Sequence, residues 1–357
     1  MTDWIVKLVI AIKAQASAGL LPAVFLGLLL PINVQAHHSF GAFYDMDSLV
    51  ELEGEILSIF WRNPHIRFNL EVRNDDGSTA VWDLEAGSVN TLQRFGIDRD
   101  VIRVGGSIKV AGPASLHGLN AMFVASITLP AGDQVILNPN LARNLPDIYQ
   151  EIPEKLSIDE NLISAGRAEA NGIFRVWIPV SRPNTGSGLL VWPLTNEGQI
   201  ARDNWDPLID DPALRCIPPG VPVAMDSPYP FEFTDMGETI VIRLEEWDGV
   251  RTIYMHPDAI KPELSYPRMG YSVGHWRGNT LIVTTTDVEY PFFDDVGSPQ
   301  SPQAVIVEEF SLSQENSRLD WTAQVTDSQY YSEPVTLSGH WQWAPGEQIK
   351  TYQCTQE

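Results

Sequence analysis

Thr239-Ile-Val-Ile-Arg-Leu-Glu-Glu-Trp-Asp-Gly-Val-Arg-Thr-Ile-Tyr-Met255 is the stretch that decides the fold. Ile240, Ile242 and Leu244 fall at every second position, the period that places side chains on one face of a strand. Asp248-Gly249 then separates this run from a second one, Val250 to Met255, and such a dipeptide between two strand-like runs signals a tight hairpin. The unit that follows is an antiparallel pair with one face turned inward.

The same grammar extends in both directions. Upstream lies Phe231 to Thr234, joined through Met236-Gly237. Downstream, Tyr271 to Arg277 turns at Gly278-Asn279 into Leu281 to Val288, and Ala304 to Leu312, Arg318 to Thr326 and Pro334 to Trp343 follow. Eight or so antiparallel strands with short turns make a larger antiparallel meander that curls into a calycin- or lipocalin-like barrel. Phe174 to Val180 and Leu189 to Leu194 read as two more strands around a Gly/Ser turn, and Thr195 with Glu197 opens a short helix. Residues 172–357 are therefore one domain. Residues 138–171, rich in prolines and with a helical stretch at Ile158 to Ala168, read as a linker.

Residues 37–137 carry a second β pattern. Val50 to Trp61 alternates, Asn63-Pro64 breaks it, and His65 to Val72 resumes before the hairpin signal Asp75-Asp76-Gly77 and a third strand, Thr79 to Leu84. Ser88 to Arg94 reads as a helix with Ser88 as N-cap and Gly96 as its stop. Val101 to Val110 and Asn120 to Leu129 supply two further strands. Three strands, a helix and two strands is the order of an OB-like five-stranded barrel. The chain as a whole is thus mainly β.

Composition narrows the function. The formal charge is -23, and acids and bases are mixed between Ile66 and Val110 with no basic cluster. Such a surface repels phosphate backbones, so a nucleic-acid partner is not expected and a small molecule or metal ion is. Residues 1–36 read as a signal peptide: Lys7 and Lys13 precede an uncharged apolar stretch, Pro31 breaks it, and Val34-x-Ala36 offers the small residues of a cleavage site. An uncleaved anchor is the competing reading, disfavoured because Pro22 and Pro31 interrupt a span of about 20 residues. No other stretch is long enough to cross a bilayer, so the expected location is periplasmic or secreted. Cys216 and Cys354 in an exported chain point to a disulfide, with two buried thiols as the alternative.

Ala-His-His-Ser-Phe at 36–40, Trp61-Arg62-Asn63-Pro64-His65 and Ala125-Ser126-Ile127-Thr128-Leu129-Pro130 give residues 36–135 a resemblance to an exported bacterial family, the domain of unknown function 6152. The resemblance implies export and a small domain, and brings no established activity. Arg62 inside the Trp-x-Asn-Pro-His motif and Phe43-Tyr44-Asp45 after the histidine pair depart from the family's usual pattern. In the second half, Ser227-Pro-Tyr-Pro-Phe-Glu232 and Gly270-Tyr-Ser-Val-Gly-His-Trp276 resemble segments of uncharacterised exported bacterial proteins.

Cleavage after Ala36 would leave His37 at the mature terminus. Its α-amine and imidazole can chelate one ion together, and a facing imidazole would complete a nitrogen set suited to copper. His65, placed after Asn63-Pro64, is the candidate for the facing nitrogen, and His38 is the alternative ligand. The geometry resembles the histidine brace of copper monooxygenases and periplasmic copper carriers. The plain alternative is a frayed terminus and a turn histidine.

Two other functions are open. Trp247, Tyr271, Trp276 and Trp321, with Trp341 and Trp343, could line a cavity for a small apolar ligand in the C-terminal barrel, or could be packing. Gly270-Tyr-Ser272-Val-Gly274 has the letters of a hydrolase elbow, with Asp287, Asp294 and His340 as paper partners. Such an elbow needs a helix after the serine, and here a turn and a β-branched run follow. A binding protein is expected ahead of an enzyme.

Overall fold

The computed structural model describes residues 43–74, 76–138, 141, 156–181, 192–207, 209–256, 263–294 and 296–355. The expected signal peptide, His37 and His38 lie outside the described residues, as do residues 139–140 and 142–155 of the linker and residues 189–191 of the expected strand at 189–194.

The first barrel is built from β1 (Tyr44–Phe60), β2 (Arg67–Arg73), β3 (Thr79–Glu85), β4 (Ser107–Ser115) and β5 (Ala121–Phe123). Their order is β1-β2-β3-β5-β4, and β4 returns to β1 to close five strands; β6 (Ser126–Thr128) and β7 (Gln134–Ile136) extend the sheet beyond β4. The OB-like five-stranded barrel is borne out, with two differences. Asn120 to Leu129 is two short strands, and the strand expected from Val101 starts at Ser107, because Arg99–Val101 forms a short 3-10 turn capped by Asp98. β1 is long because it serves two neighbours, β4 along Leu49–Glu55 and β2 from Gly54 onward. The crossing point needs Gly54: a Cβ there would lie 2.2 Å from the Glu71 carbonyl oxygen.

Helix α1 (Val89–Arg94) sits where expected. Ser88 caps it, its hydroxyl accepting from the Thr91 amide at 3.0 Å, and Leu92 buries in the barrel core beside Leu84, Ile66 and Val110. The helix thereby fills one end of the barrel and turns Asn90 and Arg94 away from it.

The second barrel closes nine strands: β8 (Val176–Ser181), β9 (Phe231–Asp235), β10 (Thr239–Leu244), β11 (Gly249–Tyr254), β12 (Tyr271–Arg277), β13 (Thr280–Thr286), β14 (Val305–Leu312), β15 (Arg318–Thr326) and β16 (Val335–Trp343). β8 lies between β16 and β9, so the first strand of the domain seals the ring. A purely antiparallel meander is not what forms, because β11 and β12 pair in parallel. The β10–β11 turn is also longer than Asp248-Gly249 alone. Leu244 pairs with Gly249, and Trp247 and Asp248 take φ of 61° and 50° in the loop between them.

Alternation along the strands fills the inside. Phe231, Phe233, Phe310, Trp177, Trp321 and Trp341 are all buried in one cluster, with edge-to-face contacts such as Phe231–Trp341 at 4.9 Å. A polar belt crosses this core through five consecutive strands. Arg251 of β11 donates to Ser272 of β12 at 3.2 Å, to Thr285 of β13 at 2.8 Å and to Glu308 of β14, and Trp321 of β15 donates to Glu308 at 3.1 Å. All five residues are buried. Isolated, either charge would be prohibitive there; paired and fully hydrogen-bonded, they hold one arrangement of five strands.

Cys216 and Cys354 form a disulfide across a sequence separation of 138. The bridged C-terminal segment does more than tie the second barrel's ends. It runs along the joint between the barrels, which belong to one compact unit. Asn63 donates to the Tyr352 carbonyl and, at 2.9 Å, to Asn90, and accepts from the Val89 amide at 3.0 Å. The buried Glu245 accepts from Arg94 twice at 2.7 Å, from Asn90 at 3.0 Å and from the Lys350 amide at 2.9 Å. Asp248 accepts from the amides of Tyr352 and Gln353.

Candidate functional site

The Trp-Arg-Asn-Pro-His segment links β1 to β2 and splits its polar residues between two tasks. Asn63 faces the joint, as above. His65 stands two positions on, at the opposite side of the loop, where β1 begins and β3 ends. Its Nδ1 donates to Oε1 of Glu85, the last residue of β3. The other carboxylate oxygen, Oε2, accepts from the Tyr44 hydroxyl at 3.0 Å. One buried carboxylate thus connects the first residue of β1 to the histidine of the motif.

The surroundings are aromatic. Phe123 lies 5.9 Å from the His65 ring and 5.6 Å from that of Tyr44, and Phe43 stacks edge-on with Tyr44 at 4.7 Å. On the far side of Phe43, His117 of the β4–β5 turn approaches to 5.2 Å. Arg67 pairs with Asp83 in two hydrogen bonds one strand position away, supplying positive charge near Glu85. Burial, then the Glu85 charge, push the Tyr44 hydroxyl well above its usual range. The raised Tyr44 hydroxyl keeps its proton and donates it to Glu85.

This arrangement fixes the chemistry of His65. A ring that gives its Nδ1 proton to a carboxylate carries its lone pair on Nε2, and a carboxylate behind a ring nitrogen is the usual support of a metal-bound histidine. The side chain keeps 19% of its surface exposed while Glu85 keeps 3%. Among the described residues, no three His, Cys, Asp or Glu side chains are grouped as metal ligands. His37 precedes Tyr44 by seven positions, a tether of at most about 24 Å at full extension.

The four aromatic residues expected to line a ligand cavity are not brought together. Trp321 is buried in the core, 5.8 Å from Trp341. Trp276 is 42% exposed beside Phe174, Tyr271 stacks with Tyr254, and Trp247 packs on Tyr352 at the joint. The nearest reason is the strand period: on β12, Tyr271, Val273 and His275 share one face and Ser272, Gly274 and Trp276 the other. Ser272 is buried within the polar belt, and strand continues after it to Arg277, so no strand–turn–helix elbow is formed. Asp294 caps its own loop, accepting from Val296, Ser298 and Trp192. Asp287 accepts from the neighbouring Thr286 hydroxyl, and His340 lies on β16 opposite Asp320.

Reading the sequence missed Glu85, Tyr44 and His117. Tyr44 carried a signal, since it sits in the Phe-Tyr-Asp departure from the family pattern. Glu85 and His117 carried none, because each is one acidic or imidazole side chain whose neighbours come from other strands.

Residues 28–121 match a family described as a family of unknown function (DUF6152). No curated protein matches the chain. The matched span contains Tyr44, His65 and Glu85, so the site lies inside the part of the chain shared with that family. Among the described residues no helix is long and apolar enough to cross a membrane.

Proposed function

We propose that the chain is an exported, periplasmic or secreted binding protein that holds a copper ion between a mature N-terminal histidine and His65. The observation that carries this reading is the Tyr44–Glu85–His65 relay. It orients the imidazole, sets its tautomer and holds Tyr44, seven positions after His37, in the same corner of the first barrel. His37 would contribute amine and imidazole, His65 would contribute Nε2, and His38 is the further ligand within the tether. Copper bound in this way has open coordination positions, which suits carriage.

The test is a Cu(II) titration of protein beginning at His37, against the same protein with one residue added before it. The expected result is a loss of at least 100-fold on extension, and a similar loss in H65A. Glu85→Gln should lose 10- to 100-fold, the usual effect of removing the group behind a ligating histidine. Equal affinity of the extended and native termini would rule out ligation by the terminal amine.

A further inference from the structure

A second site lies on the outside of the larger barrel, where the segment after helix α2 (Asn196–Asp203) meets the loop following β13. The two enclose a cavity of about 430 Å³, within the usual range for small-molecule sites. Trp205, Tyr290 and Phe292 supply its aromatic walls, and Arg268 and Arg215 its positive charge.

Two groups in this cavity are without the partners their chemistry calls for. The Trp205 indole N–H is buried and has no hydrogen-bond partner among the described residues. Its ring is held in place: Gly297, at φ 79°, packs so closely that a Cβ would lie 2.3 Å from the indole, and Phe292 stands edge-on at 6.4 Å. Arg268 is half-buried and makes no side-chain hydrogen bond or ion pair among the described residues. In a chain with formal charge -23 a guanidinium of this kind ordinarily finds a carboxylate, as Arg94, Arg251 and Arg277 do. Nearby acids do not serve it. Asp210 accepts from the Asp206 amide and Glu289 is exposed.

We infer that this cavity binds a small molecule with a flat apolar body and a single carboxylate. Arg268 takes the carboxylate in its two-pronged fork, the Trp205 N–H donates to the same group, and Trp205, Tyr290 and Phe292 cover the body. Asp210 and Glu289 at the same cavity select against multiply charged anions such as phosphates, whose extra charge they repel. The site is independent of the copper reading, since it lies on the other barrel and shares no residue with it.

Calorimetric titration of the mature protein with 2-naphthoate, and separately with the uncharged 2-naphthamide, tests the inference. The acid should bind with quenching of tryptophan fluorescence, and the amide at least tenfold more weakly. Arg268→Gln should weaken the acid at least tenfold, and Trp205→Phe, which keeps a ring but removes the donor, at least threefold. Arg318→Gln, which alters an exposed arginine beside Asp320, should change nothing. No binding of the acid at millimolar concentration, equal binding of acid and amide, or smaller losses in both folded variants would overturn the inference.

Discussion

Each barrel buries a glutamate, and the two glutamates are handled in opposite ways. In the larger barrel Glu308 meets Arg251 and the Trp321 indole in the middle of the core, and every member of the network is buried. In the smaller barrel Glu85 meets a tyrosine and a histidine at the rim, and the histidine is partly exposed. A buried charge compensated on all sides specifies a fold and has no capacity left for chemistry. A buried charge compensated by a titratable ring at the surface can orient that ring toward something else. The contrast separates a structural ion pair from a candidate site without any appeal to sequence motifs.

The comparison can be broken most severely in the larger barrel. Glu308→Leu or Arg251→Met alone should lower unfolding stability by about 3–5 kcal/mol, because each leaves an uncompensated buried charge, whereas the double variant should recover much of the loss. Urea unfolding of the three proteins measures this, and a double variant as damaged as the sum of the singles would contradict it. Copper affinity should be unchanged throughout, while Glu85→Gln should show the converse pattern of weakened copper binding with a small effect on stability.

A third carboxylate sharpens the contrast through pH. Asp211 caps the 3-10 turn Pro212–Arg215, its side chain accepting from the Ala213 amide at 2.8 Å. Burial raises it from the ordinary 3.8 to about 7, against the opposing pull of that amide and of Arg215. The folded state therefore holds the proton more tightly than the unfolded chain. The contribution to stability is largest below about pH 4, declines as pH rises toward 7, and is flat above it. Asp211→Asn keeps an acceptor at the cap and removes the charge. It should stabilise the protein at pH 8 by about 2–4 kcal/mol and leave it nearly unchanged near pH 4. Melting at the two pH values decides; an equal shift at both would refute the assignment.

The joint tests whether the barrels depend on each other. Arg94→Met strands the buried Glu245, and should cost about 3 kcal/mol in a single cooperative transition that includes both barrels. Two separate transitions in the parent protein would show that the joint is passive. The smallest effect belongs to the exposed pair Lys109–Glu53, 3.3 Å apart with both side chains 64% exposed. Lys109→Ala should change stability by less than about 0.5 kcal/mol, because water screens such pairs.

Much of the architecture was legible in residue order. Period-two runs located most strands of both barrels, Ser88 and Thr195 marked helix starts that form, and Cys216 and Cys354 form the expected bridge. The errors have physical causes. The Asp-Gly signal predicted a two-residue turn, and the loop instead takes Glu245 as a buried acceptor for Arg94, a demand from another domain. The tryptophans looked alike in composition, yet Trp321 lies mid-strand inside the core while Trp276, next to last on β12, is left half in solvent. The Asn-Pro-His motif looked like one unit and proves to be two, with Asn63 holding the C-terminal segment and His65 held by Glu85.

By itself the amino-acid order determined that this chain is mainly β, in two barrels, with a bridge between two distant cysteines. Those are properties of local period and turn chemistry, which a strand expresses wherever it sits. Only the tertiary structure decided which polar groups meet. Glu85 at the end of β3 reaches His65 just before β2, Glu308 reaches Arg251 around a closed ring, and Arg268 has no counterion among the described residues. Whether a buried charge is compensated depends on groups that closure brings in from distant parts of the chain, and no local pattern encodes that.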